Sequence, residues 1–163
     1  MPINHKEIEN KALDVLDRYS ITEPVVNVEQ IAEGEGIKIK EIVMSADHND
    51  VAGFYDDDEK TIYVNVVDKP GRKLFTVAHE LGHIFLGHAN YSVLYRVPRE
   101  GVTYTGKEKE ANSFAASLLM PEFMIRNYLE KYNFNVSDYV EMSKIFGVPI
   151  MAMKSTLERA LRQ

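Results

Sequence analysis

At 163 residues without a cysteine, the chain is long enough to bury one hydrophobic core without covalent staples, and both disulfides and thiolate metal sites are excluded. Its formal charge of −6 argues against a dedicated nucleic-acid binder, which would present a basic face to phosphates, so direct nucleic-acid binding is not expected. The N-terminus is charged and amphipathic, unlike a signal peptide, and no run approaches the ~18 apolar residues of a membrane span, so the chain reads as soluble and cytoplasmic.

Ile8, Leu13 and Leu16, with Ala12 and Val15 beside them, recur at helical spacing and predict a first helix from about Asn4 to Tyr19, capped by Asn4. A short second helix follows Asn27 and stops at Gly34 or Gly36. "IKIKEIV", starting at Ile37, alternates with period two, and "VAGFY" and "TIYVNV" flank the acidic turn Asp56–Glu59 as a hairpin. These strands predict a small antiparallel sheet, and the acidic turn reads as solvated. Pro70 and Gly71 then open a helix running to about Leu86. Residues 89–105 lack a period and read as a loop with an extended piece. A helix from about Lys107 to Met120 ends at Pro121, and another reaches about Tyr132. The tail reads as two helices broken at Gly147 and Pro149. No linker or repeat divides the chain, so a single α+β domain over 1–163 is expected: helices, a small sheet, then a helical half.

The chemistry concentrates in "FTVAHELGHIFLGH", Phe75 to His88, which holds three of the five histidines. Residues four apart share a helix face, so His79 and His83 can turn ring nitrogens to one ion, and zinc suits that donor pair. Glu80, about a third of a turn further round, is placed to take a proton from water and later pass it to a leaving amine. This is the HExxH arrangement of zinc peptidases. On the wheel, Leu74, Val77, Leu81, Ile84 and Phe85 gather opposite the histidine pair, while Phe75 and Leu86 flank it, as for a central helix flooring a cleft. Gly82 in mid-helix costs about 1 kcal/mol relative to alanine, which points to a close approach of another backbone. A third protein ligand is needed. His88 lies roughly opposite the pair and reads as a helix terminator, and Ala89 stands where a metzincin would have its histidine. The candidates are carboxylates of the next segment, Glu100, Glu108 and Glu110; periodicity does not choose between the last two, which flank the stripe Ala111, Phe114, Ala115 and Leu118.

These residues resemble the ImmA/IrrE family of bacterial and phage metallopeptidases. "GRKLFTVAHELGH" followed by "EANSFAASLLMP" carries the resemblance, which extends from about Ile21 to Pro121. The resemblance implies a zincin-like fold, His79 and His83 as zinc ligands, Glu80 as catalytic acid/base, and Glu110, which opens the second motif, as third ligand. Manganese or iron would fit the same donor types. It also implies a protein substrate, a helix-turn-helix repressor, cleaved by metal-activated water. The alternative is a metal-containing binding module that antagonises a repressor by docking alone. The tail, 133–163, has a helix-turn-helix look around Gly147 but reads more simply as a helical pair packed on the core through Ile145, Phe146, Val148, Ile150, Met151 and Leu157.

Overall fold

The computed structural model describes residues 3–88, 95–96 and 105–162. Helix α1 (His5–Arg18) begins at Asn4, whose side chain accepts a hydrogen bond from the Glu7 amide at 2.9 Å, and it buries Ile8, Ala12, Val15 and Leu16. Such a cap satisfies one of the four amides that a helix start leaves unpaired. Asn27 caps α2 (Val28–Gly34) in the same way through the Gln30 amide.

The sheet contains β1 (Lys38–Ile42), β2 (Val51–Asp56), β3 (Thr61–Asn65) and a short β4 (Tyr95–Arg96), in the order β1-β3-β2-β4. The hairpin of β2 and β3 is antiparallel as expected, with Gly53 opposite Val64 and Asp56 opposite Thr61. β1, however, runs parallel to β3, with Lys38 opposite Thr61 and Ile42 opposite Asn65, so the sheet is mixed. Its connection, 43–50, carries the chain past the end of β3 into β2, two places away. Period-two alternation reports which face a side chain takes, and it does not report which strand lies alongside. The exposed lysines Lys38 and Lys40 then guard β1 as an edge. At the intervening acidic turn Asp57 pairs with Lys60 at 2.9 Å, both side chains exposed.

Helix α3 (Pro70–Phe85) opens with proline at its first position, where the missing amide costs nothing. Every residue from Phe75 to His83 is buried, which makes α3 the central rod of the molecule. One side meets the sheet: a Cβ on Gly53 would lie 2.4 Å from the Tyr63 carbonyl oxygen and 2.6 Å from Cγ2 of Thr76. The other side meets α4 (Gly106–Leu119), where a Cβ on Gly82 would stand 3.0 Å from the Ala111 carbonyl oxygen and 3.2 Å from its Cα. The mid-helix glycine therefore serves backbone approach, as its cost predicted.

Beyond α4 follow α5 (Glu122–Tyr132), α6 (Tyr139–Phe146) and α7 (Ile150–Ala160). Asn133 ends α5 and Gly147 ends α6, both in the left-handed conformation. One apolar cluster joins Ile8 of α1 to Leu157 of α7 and includes Val77, Ala78 and Leu81 of α3, Phe114 and Leu118 of α4, and Met142, Phe146 and Met153 of the tail. The tail's inward face differs from the sequence expectation. Ile150 and Met151 are 47% and 65% exposed, and Met142 and Met153 are buried instead. Pro149 starts α7 so that its first turn faces out, and the helical period then turns Met153, Thr156 and Leu157 inward.

Replacing Gly82 with valine is expected to push α4 away from α3 and lower stability by about 1–3 kcal/mol, the usual cost of overpacking. Gly106→Ala, where an added Cβ meets nothing within 4 Å, is the matched control and should leave urea unfolding unchanged or shift it upward. Equal midpoints for the two variants would refute the close-approach role of Gly82.

Candidate metal centre

The α3–α4 contact brings the polar edges of both helices together. His79 and His83, one turn apart on α3, face each other with Nε2 atoms 3.1 Å apart. Glu108, in the first turn of α4, closes the group: Oε2 lies 3.0 Å from Nε2 of His79, and Oε1 lies 2.9 Å from Nε2 of His83. All three are buried, and one ligand atom from each falls within 4.8 Å of the others. Thr105 caps α4 by accepting from the Glu108 amide at 3.3 Å, which sets the phase of that first turn. Among the described residues this is the one group of histidines and carboxylates arranged to hold an ion.

Glu110, to which the resemblance assigned the third-ligand role, lies elsewhere. Its Oε1 is 2.8 Å from Nε2 of His88, and its Oε2 accepts from the Ile3 amide at 2.9 Å. Two residues along a helix turn the side chain by about 200°, so Glu108 and Glu110 cannot serve one point. The structure brings Glu108, and not Glu110, to the histidine pair. The missed signal was Asn112. It stands one turn beyond Glu108 on the same face of α4, and its Oδ1 accepts from Nδ1 of His79 at 2.8 Å. A glutamate and an asparagine four apart can address both nitrogens of one imidazole, and only the pair starting at Glu108 has that spacing. Glu100 lies outside the described residues.

Tyr95 of β4 completes the setting of His79. Its ring stacks on the imidazole with centroids 3.8 Å apart and planes at 17°, and its hydroxyl donates to the same Asn112 oxygen at 3.4 Å. With Nδ1 of His79 engaged by Asn112, its Nε2 is the nitrogen turned toward Glu108. His83 is likewise engaged from outside, with its Nδ1 2.8 Å from Nδ1 of His88. His88 also ends the helix, its amide donating to the His83 carbonyl at 2.9 Å after Gly87 turns left-handed at φ +72°. It is therefore a terminator, as expected, whose side chain also folds back on a site residue.

Glu80 occupies the same buried turn, 3% exposed, and its Oε1 has no hydrogen-bond partner. Burial pushes its carboxyl well above the ordinary carboxylate range, and the nearby negative charge of Glu108 adds to this. For Glu108 burial also acts upward, but the facing imidazoles outweigh it and hold the group at about 2, so it is an anion at neutral pH. Burial lowers His83, which favours the neutral ring. Two imidazole nitrogens and one carboxylate converging in a buried space make a donor set that fits a divalent cation, and the unpartnered Glu80 oxygen beside it suits a water molecule.

The chain is similar to several known proteins. The peptidase M78 family, described as the IrrE N-terminal-like domain, matches residues 32–158. Immunity region protein 2 of Bacillus phage phi105 is 30% identical over 104 residues, 63% of this chain and 63% of that protein. The radiation response metalloprotease IrrE of Deinococcus radiodurans is 33% identical over 94 residues, 56% of this chain but only 29% of that longer protein. In fold, a Mycobacterium tuberculosis transcriptional regulator superimposes with a TM-score of 0.64 at 16% identity, covering 91% of this chain and 45% of that one. The family match spans both the helix with His79, Glu80 and His83 and the helix with Glu108, and on that ground the chain belongs to the peptidase M78 family of IrrE N-terminal-like domains.

Proposed function

We propose that this chain is a zinc-dependent endopeptidase that cleaves a specific cytoplasmic protein, a helix-turn-helix repressor, with His79, His83 and Glu108 as metal ligands. The observation that carries the reading is the buried convergence of two imidazole Nε2 atoms and a carboxylate beside Glu80, whose Oε1 lacks a partner. The relatives support it: one is described as a radiation response metalloprotease and another as a phage immunity region protein, which fits proteolysis in the service of gene regulation. Zinc is favoured by two histidines four residues apart with one carboxylate, although manganese or iron accepts the same donors.

The ion, when bound, supplies Lewis acidity that polarises the scissile carbonyl and acidifies water. The protein's own groups do the rest. Glu80 removes a proton from the attacking water as its oxygen bonds to the carbonyl carbon. As the carbon–nitrogen bond breaks, Glu80 returns that proton to the departing amine. Burial raises the basicity of the Glu80 carboxylate, which strengthens it for the first task and lets it hold the proton until the second. Asn112 and Tyr95 keep the His79 ring from rotating, and the apolar residues behind α3 keep the site rigid.

Glu80→Gln is expected to retain one equivalent of zinc while cleavage of a helix-turn-helix repressor encoded beside its gene falls at least about 10²-fold, the usual scale for a lost general base. Undiminished repressor inactivation by this variant would overturn the peptidase reading in favour of docking without cleavage. Glu108→Ala is expected to lose stoichiometric zinc, read by metal analysis after gel filtration, with the far-ultraviolet dichroism of a folded chain. Retained stoichiometric zinc would remove Glu108 from the ligand set.

A further inference from the structure

We propose that His88 and Glu110 are positioning residues that fix the tautomer and orientation of His83 for metal binding; this rests on His83 being a ligand, as argued above. Four groups stand in line. The Ile3 amide donates to Oε2 of Glu110 at 2.9 Å, Oε1 of Glu110 lies 2.8 Å from Nε2 of His88, and Nδ1 of His88 lies 2.8 Å from Nδ1 of His83. The chain then reaches the ion site through Nε2 of His83, 2.9 Å from Oε1 of Glu108.

With an ion on Nε2 of His83, hydrogen-bond chemistry orders the protons along this line. The lone pair of that Nε2 goes to the ion, so Nδ1 of His83 carries the hydrogen and donates to Nδ1 of His88. His88 then carries its own hydrogen on Nε2, where the ionised Glu110 carboxylate accepts it. In the opposite tautomer two lone pairs would meet at 2.8 Å between the rings, and a hydrogen would occupy the face that has to bind the ion. The side chains of His88 and Glu110 are 6% and 14% exposed, so water competes little for these bonds.

The relay spans three elements that the sequence keeps apart. His83 stands on α3, His88 lies just past its end, and Glu110 is on α4, while Ile3 precedes α1. The second histidine of the pair thus gets from His88 and Glu110 the service that Asn112 gives directly to the first. Such outer partners typically govern metal affinity by 10–100-fold. This also explains why Glu110 is hydrogen-bonded on both oxygens while standing off the ion site.

The test is the zinc dissociation constant of the full chain, measured by competition with a chromophoric chelator, with the imidazole nitrogen shifts of zinc-loaded wild type at pH 7.5. His88→Phe, which keeps a ring but no nitrogen, should weaken zinc about 10–100-fold. Glu110→Ala should do so by a similar or smaller factor. His88→Gln can accept through its oxygen and donate through its amide, and should recover most of the loss. The nitrogen shifts should report hydrogen on Nδ1 of His83 and on Nε2 of His88. Unchanged zinc affinity in His88→Phe, or hydrogen on Nδ1 of His88 in the zinc-loaded wild type, overturns the relay. Failure of the wild type to bind zinc overturns the ligand assignment on which it rests. If His88→Phe does not fold, those shifts and Glu110→Ala decide.

Discussion

The close approach of α3 to α4 is the constraint on which the remainder depends. Gly82 lets the Ala111 backbone come within a distance that any side chain would oppose, and the two helices lock along that line. His83 stands next to Gly82 in sequence, and Glu108 precedes Ala111 by three residues, so both reach the seam from the same contact. Apolar burial holds the seam shut: Phe114, Ala115 and Leu118 from α4 meet Val77, Ala78 and Leu81 from α3 in one cluster. The carboxylate arrives at the histidines as a by-product of packing, without needing attraction between buried charges to pull it there. That matters because the desolvation of a buried ion pair usually offsets its Coulomb gain.

Around this seam the polar groups form a closed system in which nearly every atom is accounted for. Asn112 and Tyr95 hold His79, His88 and Glu110 hold His83, and Thr105 sets the turn that carries Glu108. Glu80 breaks the pattern with an oxygen that has no partner. Buried polar atoms are almost always satisfied, and exceptions concentrate where a substrate, ion or water has to act. A glutamate oxygen left open beside an otherwise satisfied donor set has room to meet a water molecule.

Much of the architecture was legible because it follows from local rules. Asn4 and Asn27 cap helices where a short oxygen-bearing side chain precedes an apolar period, and Gly147 ends α6 where a left-handed residue is needed. The parallel pairing of β1 with β3 was not legible, since alternation carries no information about neighbours. Nor was the inward face of the tail: Ile150 and Met151 look like core residues, but they fall in the first turn of α7, on the solvent side of a helix whose phase Pro149 sets.

The sequence by itself determined the pairing of His79 with His83: residues four apart share a helix face because a helical turn repeats nearly every four residues. It also confined the partner carboxylate to the segment that follows, at Glu100, Glu108 or Glu110. Which carboxylate completes the group was decided by tertiary structure alone. Glu108 and Glu110 have the same side chain and flank the same apolar stripe, and only the rotation of α4 about its axis, set by Gly82 against Ala111 and by the Thr105 cap, points Glu108 inward. The same rotation sends Glu110 to His88. Local periodicity describes a helix relative to itself, and its phase relative to a neighbour exists only after the two have packed.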